Sequence, residues 1–331
     1  MKVQAALLTF CLSLLAAAGP LGAFLERGRN SVRDDQERTG AFMLSVLRRD
    51  GIVVPFAAFD GRRWSKRWPE RLPNERPISI EDIPKPWWGI EPAPHRLRHW
   101  ADGAAAGNVT LTSPVVTPLM CELRLALRSD YKSTQPAPPG FVLPFPKDGL
   151  LISGDATVSK IDTVDPASEE ARKVLGLALE EFNREENASA SAFTAWRHPV
   201  KSSERKKLPV TLEAIYRAPT DDPEWTAYFI EAVREYPPGP NDKDGCGLAT
   251  YVSGFVLPNQ QRAAIRIGAR ITFCDRKDIA YMLPFGLIEA DGKNYWVFQH
   301  AGFEAETYQV LRPHRGNIDT AVIYNAGGCG R

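Results

Sequence analysis

The sequence lacks the short signatures of the common enzyme classes. Its 331 residues contain no Gly-x-Ser-x-Gly, no His-Glu-x-x-His, no Walker-type phosphate loop and no Gly-x-Gly-x-x-Gly after a strand. These absences disfavour the usual hydrolases, metalloproteases and nucleotide-binding enzymes. Net charge is also lacking. Lysine and arginine total 41 against 40 aspartates and glutamates, a balance of +1. Such a chain has no global field to draw in nucleic acid or an acidic membrane surface, so neither is expected as a partner. The five cysteines include no Cys-x-x-Cys pair, which disfavours a zinc knuckle or a thiol redox motif. Neither metal nor cofactor is expected. After the first 23 residues no apolar run is long enough to span a bilayer.

What is present at the start is a targeting pattern. Lys2 precedes an uncharged apolar stretch from Ala5 to Ala18, and Ala16, Ala17, Ala18 and Ala23 offer small residues for cleavage. The run is about 14 residues, and a spanning helix needs about 20. Residues 1–23 are therefore expected to be a secretory signal peptide, and the protein to be secreted or periplasmic. A charged lead-in follows at 24–40. Removing the signal takes Cys11 with it and leaves Cys121, Cys246, Cys274 and Cys329. In an exported chain these can form two disulfides, with three possible pairings.

The remainder reads as mainly β: antiparallel sheets, sandwich-like or propeller-like, with one amphipathic helix. An N-terminal β region is expected over 41–136 and a C-terminal β-rich region over 148–331. Apolar runs at 41–47 and 52–59 flank Asp50-Gly51, a strong hairpin signal. Between Pro69 and Pro94 lie seven prolines, which exclude a regular helix or central strand there. Cys121, Leu123, Leu125 and Leu127 alternate with polar or small residues, the pattern of a half-buried strand within 115–129. The helix is expected over about 166–184, capped by Asp165, with Val174, Leu175, Ala178, Leu179 and Phe182 as its apolar stripe. From 208 onward apolar strands alternate with turn residues. In the hairpin across 247–274, a turn centred on Gln260 gathers Ala249, Tyr251 and Phe255 with Ile265, Ile267, Ile271 and Phe273 on one face. It also sets Cys246 opposite Cys274, leaving Cys121 for Cys329.

Three constellations could carry function. His300 stands near Glu304 and Glu306, and a histidine with carboxylates can do acid–base work. Five of the eight tryptophans lie between Trp64 and Trp100 among arginines. Trp87, Trp88 and Trp100 are the candidates there for stacking on sugar or contacting a partner. His95 and His99 have a spacing that can present two imidazoles to a metal, but no third ligand is evident and no metal site is assigned. The leading expectation is a non-catalytic binding or interaction protein, its partner a carbohydrate or an envelope protein. The alternative is a secreted hydrolase of an envelope polymer built on His300.

Overall fold

A computed structural model describes residues 40–136, 138, 144–192, 198–238, 247–303 and 305–329. The expected signal peptide and almost all of the expected lead-in, as well as Cys246 and Glu304, lie outside the described residues.

The first apolar runs become β1 (Phe42–Arg48) and β2 (Ile52–Phe59), joined at Gly51, whose φ of 78° suits a residue without Cβ. Every residue of both strands is buried. Apart from Ser45 and Arg48 they are apolar throughout, as strands covered on both faces require. β3 (Trp64–Ser65), the short α1 (Lys85–Trp88), β4 (Arg96–Ala101), β5 (Ala104–Leu119), β6 (Glu122–Ser129) and β7 (Lys147–Ile152) follow. The strand order β1-β7-β4-β5-β6-β2, with β1 also paired to β2, closes a ring. The N-terminal strands thus form a β-barrel, with β3 added on β2.

The rest of the chain forms two more antiparallel sheets. β9 (Asp162–Thr163), β10 (Thr211–Pro219), β11 (Thr226–Glu235), β12 (Leu248–Pro258) and β13 (Ala263–Phe273) make one. β8 (Val158–Ser159), β14 (Ala280–Ala290), β15 (Lys293–Gly302), β16 (Ala305–His314) and β17 (Asn317–Gly328) make the other. They face each other across Phe229, Phe255, Trp296 and Phe298. The far side of the second sheet packs on the barrel, with Tyr308 against Phe56 and Tyr295 against Trp64. The long helix α2 (Glu169–Ser191) covers the outer side of the first sheet, and a single turn, α3 (Ser202–Arg205), follows it.

Several local expectations need correction. The helix starts at Glu169, because Ser168 Oγ accepts the Ala171 N–H while Asp165 only takes the N–H of Ala167 one turn earlier. It runs on to Ser191. Its buried stripe is Ala171, Val174, Ala178, Phe182 and Glu186; Leu175 is half-buried and Leu179 exposed. The single strand expected across Cys121 is two strands. Met120 adopts φ 53° and turns the chain there, so Leu123 is exposed while Leu125 and Leu127 are buried. Strand structure resumes directly after the prolines at Arg96, and β4 is an internal barrel strand.

The β12–β13 register also differs, by one residue. Tyr251 opposes Arg270, and Gly254 opposes Ile267. Asn259 Oδ1 accepts the N–H groups of Gln261 and Arg262, which makes a four-residue loop where a turn centred on Gln260 would be odd-numbered. The apolar-face criterion could not choose, because β12 is apolar on both sides. Val252 and Val256 face α2, while Phe255 and Leu257 face the opposite sheet. Cys121 and Cys329 are bonded, with a Cα separation of 4.8 Å. Cys274 is disulfide-bonded as well.

Candidate functional site

Strand pairing decides which of the predicted site residues meet. In β15–β16, His300 opposes Thr307 and Ala301 opposes Glu306. Because successive side chains alternate faces, His300, Thr307 and Gln309 point into the sandwich. Gln299, Glu306 and Tyr308 point toward the barrel. His300 and Glu306 therefore stand on opposite sides of one sheet and do not form a pair.

On the barrel side, Glu306 holds Lys147 Nζ at 2.7 Å and accepts a hydrogen bond from the Tyr308 hydroxyl. Burial pushes the Lys147 amine below its ordinary pKa, and Glu306 opposes that shift. A cleft of about 360 Å³ opens beside Lys147, between the barrel end and the Pro284–Gly286 bulge of β14. Gln299 lines it, is 1% exposed, and has no partner for its side-chain nitrogen among the described residues.

On the sandwich side, a cleft of about 510 Å³ is lined by Tyr251, Ser253, Arg270, Lys277, His300 and Phe303, among others. The Gln309 amide nitrogen lies 3.1 Å from His300 Nδ1 and 3.0 Å from Thr307 Oγ1. With the amide assigned that way, Nδ1 accepts and the proton sits on Nε2. His300 Nε2 is buried and has no hydrogen-bond partner among the described residues. Burial lowers the His300 pKa to about 4. Glu231, across the β11–β12 pair from Ser253, accepts the Met282 N–H at 2.7 Å, and burial raises its pKa. The Tyr251 hydroxyl lies within the field of Glu231 without meeting hydrogen-bonding geometry. Burial first, then Glu231, raises its pKa well above the ordinary tyrosine value.

The tryptophans are placed otherwise. Trp88 is 1% exposed and Trp100 9%, both within the barrel-side core, and Trp87 is half-buried against Trp68. His99 Nε2 lies 2.9 Å from the Asp148 carbonyl, while His95 is exposed. The sequence singled out His300 but missed Tyr251, Ser253 and Glu231. A carboxylate flanked by apolar residues in the β11 run was the available signal. Comparison with models of protein families, with characterised proteins and with solved structures finds no match.

The His300 shift has a measurable consequence. An unfolded histidine titrates near pH 6.5, and folded His300 near 4. Between those values the unfolded chain binds more protons, so this contribution is complete above about pH 6.5 and is lost as the pH falls toward 4. Denaturant unfolding at pH 7.5 and 4.5 should show wild type losing about 2.5 kcal/mol more than His300→Gln. Equal losses in the two proteins would remove the assignment.

Proposed function

We propose that the protein is an exported, non-catalytic binding protein that holds a hydroxyl-rich, uncharged ligand of the carbohydrate class in the sandwich cleft. The unpartnered Nε2 of His300 carries this reading. Buried polar groups are almost always satisfied, and one left open in a cleft marks where a ligand or water completes the bond. The cleft offers a neutral imidazole and two hydroxyls, on Tyr251 and Ser253, while its cations are engaged elsewhere, Arg270 on the Asp278 carbonyl and Lys277 on Asp275. Sugar hydroxyls both donate to and accept from such groups. Phe303, 56% exposed, offers a ring for apolar sugar faces at the rim. The volume is within the range of small-molecule sites.

Two features support binding over hydrolysis. The His300 neighbour is an amide, where a carboxylate would stabilise the imidazolium of a general base. A pKa near 4 is also far below the neutral value an efficient base needs. The Cys121–Cys329 bond supports export, since such bonds persist in oxidising compartments.

A panel of labelled oligosaccharides, titrated against the intact protein with reducing ends counted in the same samples, tests the proposal. Saturable binding without new reducing ends is expected, weakened about tenfold or more in His300→Phe, because a buried hydrogen bond is lost. Catalytic release of reducing ends would instead favour the hydrolase reading. No binding across the panel would overturn the ligand class.

A further inference from the structure

We infer that the free edge of β13 is a docking groove for an acidic, extended peptide of a partner protein, which would add as a further strand. Among the described residues β13 ends its sheet, with β12 on one side only. A groove runs along its other side. Six consecutive residues, Arg262 to Ile267, line it, so its floor is the strand edge and not one pleated face. Glu181 and Arg184 of α2 form one wall. Trp225 and the Arg315–Gly316 turn between β16 and β17 form the other.

Two contacts show which backbone groups of this edge face outward. A Cβ on Gly254 of β12 would meet the Arg266 carbonyl oxygen, so that carbonyl faces inward to β12. The neighbouring Ile265 carbonyl faces outward, where it accepts from the Arg266 guanidinium at 3.0 Å. A side chain occupies the position where the next strand's N–H would lie. Antiparallel pairing needs such outward groups at every second residue, and the five groove residues within β13, Ala263 to Ile267, span about 17 Å of strand.

Charge selects the partner. Arg184, Arg262, Arg266 and Arg315 line the groove against one carboxylate, Glu181. Arg184 is paired with Glu181 and Glu185, and Arg315 with Asp222. Among the described residues Arg262 and Arg266 have no carboxylate partner; Arg262 lies over the Trp225 ring at 5.5 Å. Arginines on an open edge repel a second copy of the same edge. They attract a strand whose carboxylates fall directly opposite. Main-chain bonds would supply affinity and the arginines specificity, the division of labour in strand addition. This surface is separate from the His300 cleft and does not depend on the sugar reading.

The test titrates the intact protein with a fluorescein-labelled peptide alternating glutamate and valine. The same peptide N-methylated at alternate residues, and dextran sulfate, serve as comparisons. Saturable binding of the first peptide is expected, with a loss of about tenfold or more on N-methylation. Arg262→Glu with Arg266→Glu should weaken binding by a similar factor while the far-ultraviolet circular dichroism and the oligosaccharide titration stay unchanged. If charge reversal disturbs folding, Arg262→Gln with Arg266→Gln is used instead, and its salt dependence should be shallower than wild type. Equal binding of the N-methylated peptide, equal binding of dextran sulfate, indifference to the arginine substitutions, or no binding at all would each overturn the inference.

Discussion

Replacing Cys121 and Cys329 together by serine is expected to cost about 5 kcal/mol, the largest loss of any change considered for this fold. The bond closes a loop with a sequence separation of 208, and the entropy a cross-link removes from the unfolded chain grows with the logarithm of that loop. Its position magnifies the effect. One end is the β5–β6 turn of the barrel, and the other lies just beyond β17. Denaturant unfolding of the oxidised wild type and of the double variant measures the difference directly. A loss below about 1 kcal/mol would mean that the unfolded chain is already compact enough to hold these ends near each other.

The second large effect concerns Glu186 on α2. This carboxylate is 0% exposed. It accepts from Arg234 Nη1 at 2.8 Å, from the Tyr236 hydroxyl at 2.6 Å and, at 3.3 Å, from Arg205 Nε. The arrangement joins the last turns of α2 to β11 and α3. Glu186→Ala should cost about 3–5 kcal/mol, because it leaves Arg234, itself 1% exposed, as an uncompensated buried cation. Glu186→Gln should cost less, since an amide oxygen still accepts. If the two variants unfold at the same denaturant concentration, the lost charge, common to both, sets the cost and the remaining amide acceptor contributes nothing.

Much of the strand inventory was legible because the turns announce themselves. Asp291 and Gly292 take φ of 52° and 67°, the two left-handed residues a tight hairpin needs, and Asp-Gly is the pair that supplies them cheaply. The Met120–Cys121 turn was illegible for the same reason inverted. Met120 carries a side chain at φ 53°, and nothing in its chemistry advertises that conformation. Helix α2 was legible as a stripe, yet two oxygen-bearing residues, Asp165 and Ser168, compete for its start, and only the chain path decides between them. The β12–β13 register could not be derived from burial, because a central strand with apolar residues on both faces satisfies either alignment. The site was legible only as a lone histidine in an apolar strand. That Glu306 serves Lys147, and not His300, follows from which residues of β15 and β16 oppose each other. That pairing depends on where the intervening turn falls.

The barrel's strand order has a consequence for how the chain is made. β7 lies between β1 and β4 and pairs with both, yet it follows β6 in sequence. A chain emerging N-terminus first can assemble β4, β5, β6, β2 and β1 only as an open sheet whose two rims, β1 and β4, have unmet hydrogen bonds. Lys147–Ile152 is the keystone, and the arch stands open until that segment has been delivered. During synthesis the barrel strands thus pass through an interval in which the borders at β1 and β4 stand exposed.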